Sequence, residues 1–256
     1  MNILVCVKRV PETGGRVSLT ADEQDIDTRY LGFTVSPHEE CAAEEAVRIV
    51  ETGGGSSTVL TLGPEAAADQ LREAMAIGVD RGILLETDGR DWDPIATAGA
   101  IVDTIEAERS SGTAYDLYLF GNEAADSGDY QVGIRVATAL GLPFVGGVKS
   151  IEIRDGLAIC RREAAGGWEV FELPLPAVVA VREGINLPRY PSVPGRLRAR
   201  KKAITRITPT ARPGGPTKVR LRLPTEQAKS AEILGTGADA APAVVELLVR
   251  MGLVSR

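Results

Sequence analysis

The chain has 256 residues, of which 44% are hydrophobic and 25% are charged, a composition typical of one large globular domain or one domain with an extension. Its formal charge of −6 argues against a general nucleic-acid-binding protein, which normally has a basic domain. No apolar run is long enough for a membrane helix. Three cysteines without C-x-x-C spacing predict neither a disulfide framework nor a structural zinc site.

The only histidine is His38, so any mechanism that needs a histidine base or two histidine ligands depends on that residue. Its position at a predicted helix start favours a structural role. The first residues lack the basic region and cleavage site of a secretory signal. Together with the sparse cysteines, this predicts a cytoplasmic protein.

Strand and helix patterns alternate over the first 145 residues, which predicts βαβ units and a parallel sheet. Residues 2–8 are typical of a strand buried on both faces, and residues 9–35 are irregular apart from a hairpin predicted at 16–20. Ser36, Pro37 and Glu39 predict a helix start, with serine as the N-cap and proline at the first helical position. Strands are then predicted at residues 58–62, 82–86 and 117–120, and helices at 65–77, 94–105 and 131–140.

The pattern changes near residue 147, where strands at 148–154 and 157–162 are predicted to form a hairpin around Asp155-Gly156. Further strands at 168–173 and 177–181 indicate an antiparallel or mixed extension of the sheet. Proline and glycine in residues 184–216 exclude long regular elements there, apart from one short basic helix. A last helix is predicted at 242–251.

Ligands of open parallel sheets bind beyond the carboxyl ends of the strands, where segments 8–13, 62–65, 87–93 and 121–132 are predicted to lie. The last segment links a strand to a helix through glycine and small polar residues, so its backbone N–H groups suit a phosphate. The alternative is a solvated loop in which Asp126 or Ser127 caps the helix. Neither the G-x-G-x-x-G nor the P-loop motif is present, which disfavours a Rossmann dehydrogenase and a P-loop NTPase.

A basic segment follows, with six lysines and arginines between residues 196 and 206. It indicates either an acidic partner or a solvated helix face. Just upstream, residues 186–194 read NLPRYPSVP, a proline-stiffened loop with apolar side chains. These side chains form a docking patch if they are exposed, and part of the domain core if they fold back.

Five segments in this order resemble the beta subunits of electron-transfer flavoproteins, over about residues 1–210. They are LVCVKRV at 4–10, SPHEECAAEEAV at 36–47, AIGVDRGI at 76–83, the loop at 121–133, and residues 175–202 with PAVVAV, NLPRYPSVPG and RARKK. The resemblance implies an α/β fold. Residues 1–183 would form a parallel-sheet, universal-stress-like (HUP) domain that binds an adenine nucleotide. A partner-recognition segment at 184–206 and a C-terminal arm at 207–256, wrapped around a larger alpha subunit, would follow.

The resemblance also implies a function as an electron carrier without substrate-level catalysis of its own. FAD would be shared with the alpha subunit, and the beta subunit would bind AMP in a structural role. A loop would dock the heterodimer onto flavin dehydrogenases, such as the acyl-CoA dehydrogenases of fatty acid oxidation, with Val193 as its apolar anchor. The dehydrogenases and the final electron acceptor stay unspecified.

Nucleotide-binding positions carried over from the resemblance lie after three strands, at the first helix start and in the phosphate loop. They are Cys6, Ser36, Pro37, His38, Glu39, Leu62, Gly121, Asn122, Glu123, Ala124, Ala125, Asp126, Ser127, Gly128, Asp129, Tyr130, Gln131 and Val132. Two departures from the family pattern stand out. Val132 replaces a threonine of AMP-binding members, and His38-Glu39 replaces an apolar-Cys pair.

Two alternatives remain open, and a third lacks the motif that it needs. Gln131-Val132-Gly133 and Ala96-Thr97 resemble electron-bifurcating members, which bind a second FAD in place of AMP. A universal-stress-type nucleotide-binding module shares the architecture but has no need of residues 184–206. An enzyme that activates a substrate with ATP needs a phosphate-binding Ser/Gly motif after the first strand, and residues 8–14 do not supply one.

Overall fold

The computed structural model describes residues 1–14, 17–212, 214–224 and 232–255. They belong to two compact units, Met1–Arg220 and Leu221–Arg256. Arg16, in the hairpin predicted at 16–20, lies outside the described residues, and so does part of the arm predicted at 207–256. Leu19 makes an isolated antiparallel bridge with Ile26.

The described residues contain eleven strands and six α-helices. The strands are β1 (Asn2–Cys6), β2 (Val10–Pro11), β3 (Phe33–Thr34), β4 (Ser56–Gly63), β5 (Arg81–Glu86), β6 (Leu117–Gly121), β7 (Phe144–Arg154), β8 (Leu157–Ala164), β9 (Gly167–Pro174), β10 (Ala177–Val181) and β11 (Ile204–Ile207). The helices are α1 (Pro37–Gly53), α2 (Ala68–Ile77), α3 (Pro94–Ser110), α4 (Val132–Leu140), α5 (Val193–Lys201) and α6 (Ala241–Arg250). A 3-10 turn, Glu65–Ala67, precedes α2.

Nine of these strands form one sheet in the order β11-β5-β4-β1-β6-β10-β7-β8-β9. The seven strands from β11 to β7 are parallel, and β7, β8 and β9 pair antiparallel. The predicted α/β fold with a mixed-sheet extension is therefore confirmed. The strand β10 is parallel to both its neighbours, and all five of its residues are buried, as expected for an interior strand.

Helices cover both faces of the parallel sheet. Side chains of β1 alternate between two hydrophobic cores, because successive residues of a strand point to opposite faces. Ile3 and Val5 pack with α1, α2 and α5, whereas Leu4 and Cys6 pack with α3 and α4. With both faces covered, only the ends of the strands are left open to a ligand.

The hairpin predicted around Asp155-Gly156 joins β7 to β8. Both turn residues have positive φ, 52° for Asp155 and 77° for Gly156, as in a two-residue type I′ turn. The basic segment adds one element that the pattern did not predict. After α5 the chain forms β11, which pairs in parallel with β5 at the sheet edge.

The second unit, Leu221–Arg256, contains a 3-10 turn, Gly237–Ala240, followed by α6, close to the helix predicted at 242–251. No residue of α6 is buried, and Val244 and Val245 are 40% and 53% exposed. Across the part of the chain that the structure describes, no helix is both long and apolar enough to cross a membrane.

Candidate functional site

The predicted nucleotide residues gather at the carboxyl edge of the parallel sheet. Strand β1 lies between β4 and β6, which is the point where the strand order reverses. Cys6 ends β1, Leu62 lies near the end of β4, and Gly121 ends β6. A crevice outside this point is where open α/β sheets bind their ligands.

The start of α1 is built by a reciprocal capping box. The Ser36 hydroxyl accepts a hydrogen bond from the Glu39 N–H at 3.3 Å, and the Glu39 carboxylate accepts one from the Ser36 N–H at 3.1 Å. Pro37 is the first helical residue, so the predicted helix start is confirmed. The other Glu39 oxygen accepts from the Lys8 N–H at 3.0 Å, which fastens the segment after β1 to the helix.

Glu39 is 7% exposed, and burial raises the pKa of its carboxyl to about 7, although the N–H donors of Lys8 and Ser36 act against this shift. Burial and the nearby Glu39 charge also raise the pKa of the Cys6 thiol, which disfavours the nucleophilic thiolate form. This part of the site holds backbone elements together and presents no reactive group.

Gly121 allows β6 to end directly against the start of α1. A Cβ atom at this position would lie 2.7 Å from Cγ of Glu39 and 3.3 Å from Cβ of His38. A contact of 2.7 Å is too short for two carbon atoms, so any side chain would push the strand and the helix apart. Glycine is therefore required by the close approach, not by its φ angle.

The loop between β6 and α4 is tied down at its first residue and at its tip. The N–H of Asn122 donates to the Val181 carbonyl at 2.8 Å, and its side-chain oxygen accepts from the Gly147 N–H at 2.7 Å. Lys8 Nζ lies 2.6 Å from Oδ2 of Asp126. Residues 125–128 are exposed, and the loop ends at Val132, the first residue of α4.

Helix α4 begins without a side-chain cap, because Gln131 occupies the N-cap position and makes no capping hydrogen bond. The alternative that Asp126 or Ser127 caps this helix is therefore wrong. In contrast, Ser36 caps α1, and Asp93 caps α3 by accepting from the N–H groups of Ile95 and Ala96. Helix α2 also lacks a side-chain cap and begins through its 3-10 turn. The first-turn N–H groups of α4 are left for water or an anion.

A polar cleft of about 690 Å³ opens at the carboxyl ends of β6 and β10. It is lined by His38, Asn122, Glu123, Tyr130, Lys149, Arg182, Glu183 and Gly184. The first four are predicted nucleotide residues. The other four were not predicted, because Lys149 lies within β7 and the remaining three follow β10, two strands that the sequence placed only in a sheet extension.

The single histidine has a structural contact in this cleft. His38 Nδ1 accepts a hydrogen bond from the Glu183 N–H at 2.7 Å, and its Nε2 lies 3.5 Å from Oε1 of Glu123. A hydrogen bond from Tyr130 lowers the pKa of the Glu123 carboxyl. His38 thereby links the start of α1 to the turn after β10, as its predicted helix-start position favoured.

The proline-stiffened segment 186–194 presents apolar side chains to solvent. Leu187 is 84% exposed, Tyr190 97% and Val193 73%, so these side chains do not fold back into the core. The prediction that Val193 lies on a loop is wrong, because it is the first residue of α5. Ser192 caps this helix by accepting from the Gly195 N–H at 3.1 Å, and Pro194 fits its first turn.

Four of the six basic side chains in segment 196–206 are exposed on α5, namely Arg196, Arg198, Arg200 and Lys201. The other two are engaged within the chain. Lys202 Nζ donates to the carbonyls of Met75 and Val79 at the end of α2, and Arg206 pairs with Glu65 at 2.6 Å. The basic side chains of this segment that are available to a partner are therefore mainly the four on α5.

Known proteins with similar sequences decide the family. Residues 25–212 match the electron transfer flavoprotein domain. The chain is 38% identical over 205 residues to the electron transfer flavoprotein subunit beta of Syntrophomonas wolfei, covering 80% of this chain and 78% of that protein. The chain belongs to the family of electron transfer flavoprotein beta subunits.

Other relatives support the same assignment. The beta subunit of Bacillus subtilis is 32% identical over 210 residues, and that of Mycobacterium tuberculosis is 35% identical over 215 residues. Each alignment covers 81% of this chain and 79% of the relative. The family match includes the loop between β6 and α4, the cleft and α5, and it ends before Leu221–Arg256. Within the described ranges, no cluster of three or more His, Cys, Asp or Glu side chains could hold a metal ion.

Proposed function

We propose that this chain is the beta subunit of a heterodimeric electron carrier. With its alpha subunit it would take electrons from flavin dehydrogenases, such as the acyl-CoA dehydrogenases of fatty acid oxidation, and pass them to a respiratory acceptor in the cytoplasmic compartment. FAD held mainly by the alpha subunit would supply the redox chemistry. The observation that carries this proposal is the 38% identity to a named beta subunit over 80% of the chain.

In this function the carboxyl edge of the sheet binds an adenine nucleotide, with its phosphate at the start of α4. The uncapped N–H groups there support this placement, since each would make a charge-assisted hydrogen bond worth about 1.5–3 kcal/mol. Cys6, Leu62 and Gly121 would form the floor of the site. The Lys8–Asp126 pair would close it at the loop tip.

AMP fits this edge better than the longer pyrophosphate of a second FAD. The carboxylate of Asp93 already occupies the N–H groups of Ile95 and Ala96 at the start of α3, and its charge would repel a further phosphate. Thr97 supports the opposite reading, because its hydroxyl has only a 3.5 Å contact with the Trp92 carbonyl and is free to meet a ligand. The electrostatic effect of Asp93 is the larger of the two, so we propose AMP.

A universal-stress-type nucleotide-binding module is the second candidate function. It would explain the nucleotide edge but not the exposed Leu187, Tyr190 and Val193, which a protein without a macromolecular partner has no reason to present to solvent. These exposed apolar side chains therefore favour the electron carrier, which docks onto other proteins.

Nucleotide content tests the proposal directly. The chain is co-expressed and purified with its alpha subunit, denatured by heat, and the released nucleotides are quantified by HPLC. We expect one AMP and one FAD per heterodimer. Detection of two FAD and no AMP would favour the electron-bifurcating alternative. Detection of no adenine compound at all would contradict the proposed nucleotide site.

The purified chain without its alpha subunit should be nearly colourless. The reason is that the phosphate loop of this chain offers one helix start without a cap and no dinucleotide fingerprint. An absorbance spectrum checks this, with the co-purified heterodimer as the yellow control. Stoichiometric flavin absorbance in the isolated chain would contradict the sharing of FAD between the subunits.

A further inference from the structure

The segment between β10 and α5 is anchored on α1 by side chains that point inward. Asn186 Nδ2 donates to the Cys41 carbonyl and to Oε2 of Glu45, both at 2.9 Å. Three residues further on, Arg189 reaches the same helix. These contacts join parts of the chain that are more than 130 positions apart, so the segment is held by tertiary contacts and not by its prolines alone.

The guanidinium of Arg189 is held between two carboxylates of α1. Its Nε lies 2.9 Å from Oε2 of Glu44 and its Nη2 lies 3.0 Å from Oε1 of Glu44. Its Nη1 and Nη2 reach the two oxygens of Glu51 at 2.7 and 2.9 Å. The backbone N–H of Arg189 also donates to Glu44, at 3.2 Å. Such two-pronged pairing fixes the direction as well as the distance of an arginine.

Glu44 is a buried carboxylate whose environment is built for this contact. Its side chain is 2% exposed, and Arg48 donates to it from the next turn of α1 at 2.8 Å. Burial alone would raise its pKa, but the hydrogen bonds from Arg189 and Arg48 leave the pKa below its usual value. Without Arg189 this buried carboxylate would keep the Arg48 contact and lose three hydrogen-bond donors of Arg189, so Glu44 favours the conformation in which Arg189 covers it.

Asn186 and Arg189 point inward, whereas the apolar side chains around them are exposed to solvent. Leu187, Tyr190 and Val193 are too exposed to be positioned by their own packing. We propose that Glu44 and Arg189 are a positioning pair that holds the docking surface of Leu187, Tyr190 and Val193 in the form that binds dehydrogenases. This inference rests on the proposed docking function and names the residues that preorganise it.

Arg189→Lys tests the pair, because lysine keeps the charge and loses the planar fork. The assay is flavin reduction in the heterodimer by an acyl-CoA dehydrogenase, over a range of heterodimer concentrations. We expect the KM for the heterodimer to rise about three- to tenfold with kcat and flavin content unchanged. Amide hydrogen exchange of the non-proline residues in 186–192 should become faster, above all at Arg189, whose N–H donates to Glu44. Glu44→Gln should change KM and exchange in the same direction.

Arg206→Lys is the matched control. Arg206, on β11, also contacts both oxygens of a glutamate, Glu65 of the 3-10 turn before α2, but this pair is exposed and lies outside the docking surface. Its KM should equal that of the wild type.

Three results would overturn the inference. The first is an unchanged KM for Arg189→Lys, and the second is unchanged amide exchange at residues 186–192. The third is a loss of flavin content together with an equal loss of activity in every assay. Val193→Asp, measured in parallel, distinguishes a failure of the positioning role from a failure of the docking function. If Val193→Asp raises KM while Arg189→Lys does not, docking stands and the positioning role is wrong. If Val193→Asp leaves KM unchanged, the proposed docking surface itself is wrong.

Discussion

Val193→Asp should weaken coupling to dehydrogenases by more than tenfold without disturbing the fold. Val193 is 73% exposed and begins α5, where an aspartate interacts favourably with the helix N-terminus, so the variant should fold. Burying the valine in an apolar pocket of the dehydrogenase would contribute about 1.5–3 kcal/mol. Aspartate would lose this contribution and place an unpaired charge in the pocket.

Smaller changes at the same position should have graded effects. Val193→Ala should weaken coupling about three- to tenfold, since each 1.4 kcal/mol is about a factor of ten. Val193→Leu is the matched control, because it stays apolar and should retain coupling. The measurement is dehydrogenase-dependent flavin reduction at several heterodimer concentrations, with melting temperature and FAD content as checks. Normal coupling by Val193→Asp would rule out docking through this residue.

The neighbouring cations should act on the rate of encounter. Arg196 and Arg198 are exposed on α5 and would steer an acidic dehydrogenase surface toward the docking site. Replacing both with glutamine should lower the association rate and its dependence on salt, with little effect on dissociation. Stopped-flow mixing at low and high salt measures both rates. A salt dependence equal to that of the wild type would mean that Arg196 and Arg198 are solvated side chains that do not steer association.

The free energy of unfolding should fall as the pH rises from about 4.5 to 7, because of Glu39. Burial raises the pKa of this carboxyl from 4.5 to about 7 in the folded chain. Between these values the folded state holds a proton that the unfolded state has released, so raising the pH favours unfolding. At about 1.4 kcal/mol per pKa unit, the loss is on the order of 3 kcal/mol.

Urea unfolding at pH 5, 6, 7 and 8 measures this effect, and Glu39→Gln is its control. Glutamine does not ionise, so the variant should lack the part of the pH dependence that Glu39 causes. At pH 5 its stability should be lower than that of the wild type, since one amide oxygen cannot replace both contacts to the N–H groups of Lys8 and Ser36. Equal slopes for the two proteins would mean that Glu39 titrates in the folded chain as it does in the unfolded one.

If the carboxyl edge of the sheet binds AMP as proposed, the same carboxylate should make that binding dependent on pH. An ionised Glu39 would repel a phosphate at the start of α4, whereas the protonated form would not. We therefore expect AMP to be retained more tightly at pH 6 than at pH 8. Equilibrium dialysis of the heterodimer against AMP at both pH values checks this, and Glu39→Gln should remove the difference.

The sequence by itself determined the local elements and the family. Helix α1 starts where Ser36 and Glu39 predict, because a capping box needs only residues three positions apart. The turn at Asp155-Gly156 is equally local, since it depends on two residues that accept positive φ. The alternation of strands and helices likewise predicted a parallel sheet, because each crossover is short and continuous in the chain.

Only the tertiary structure decided how these elements build the site. It placed β10 between β6 and β7 and paired β11 with β5, which no local pattern specifies because strand partners lie far apart in the chain. It also joined His38 to Glu183 and Glu44 to Arg189, each pair 145 positions apart. From the sequence alone, a charged residue on a helix is expected to face solvent. Glu44 is buried because a loop that is distant in the chain covers it.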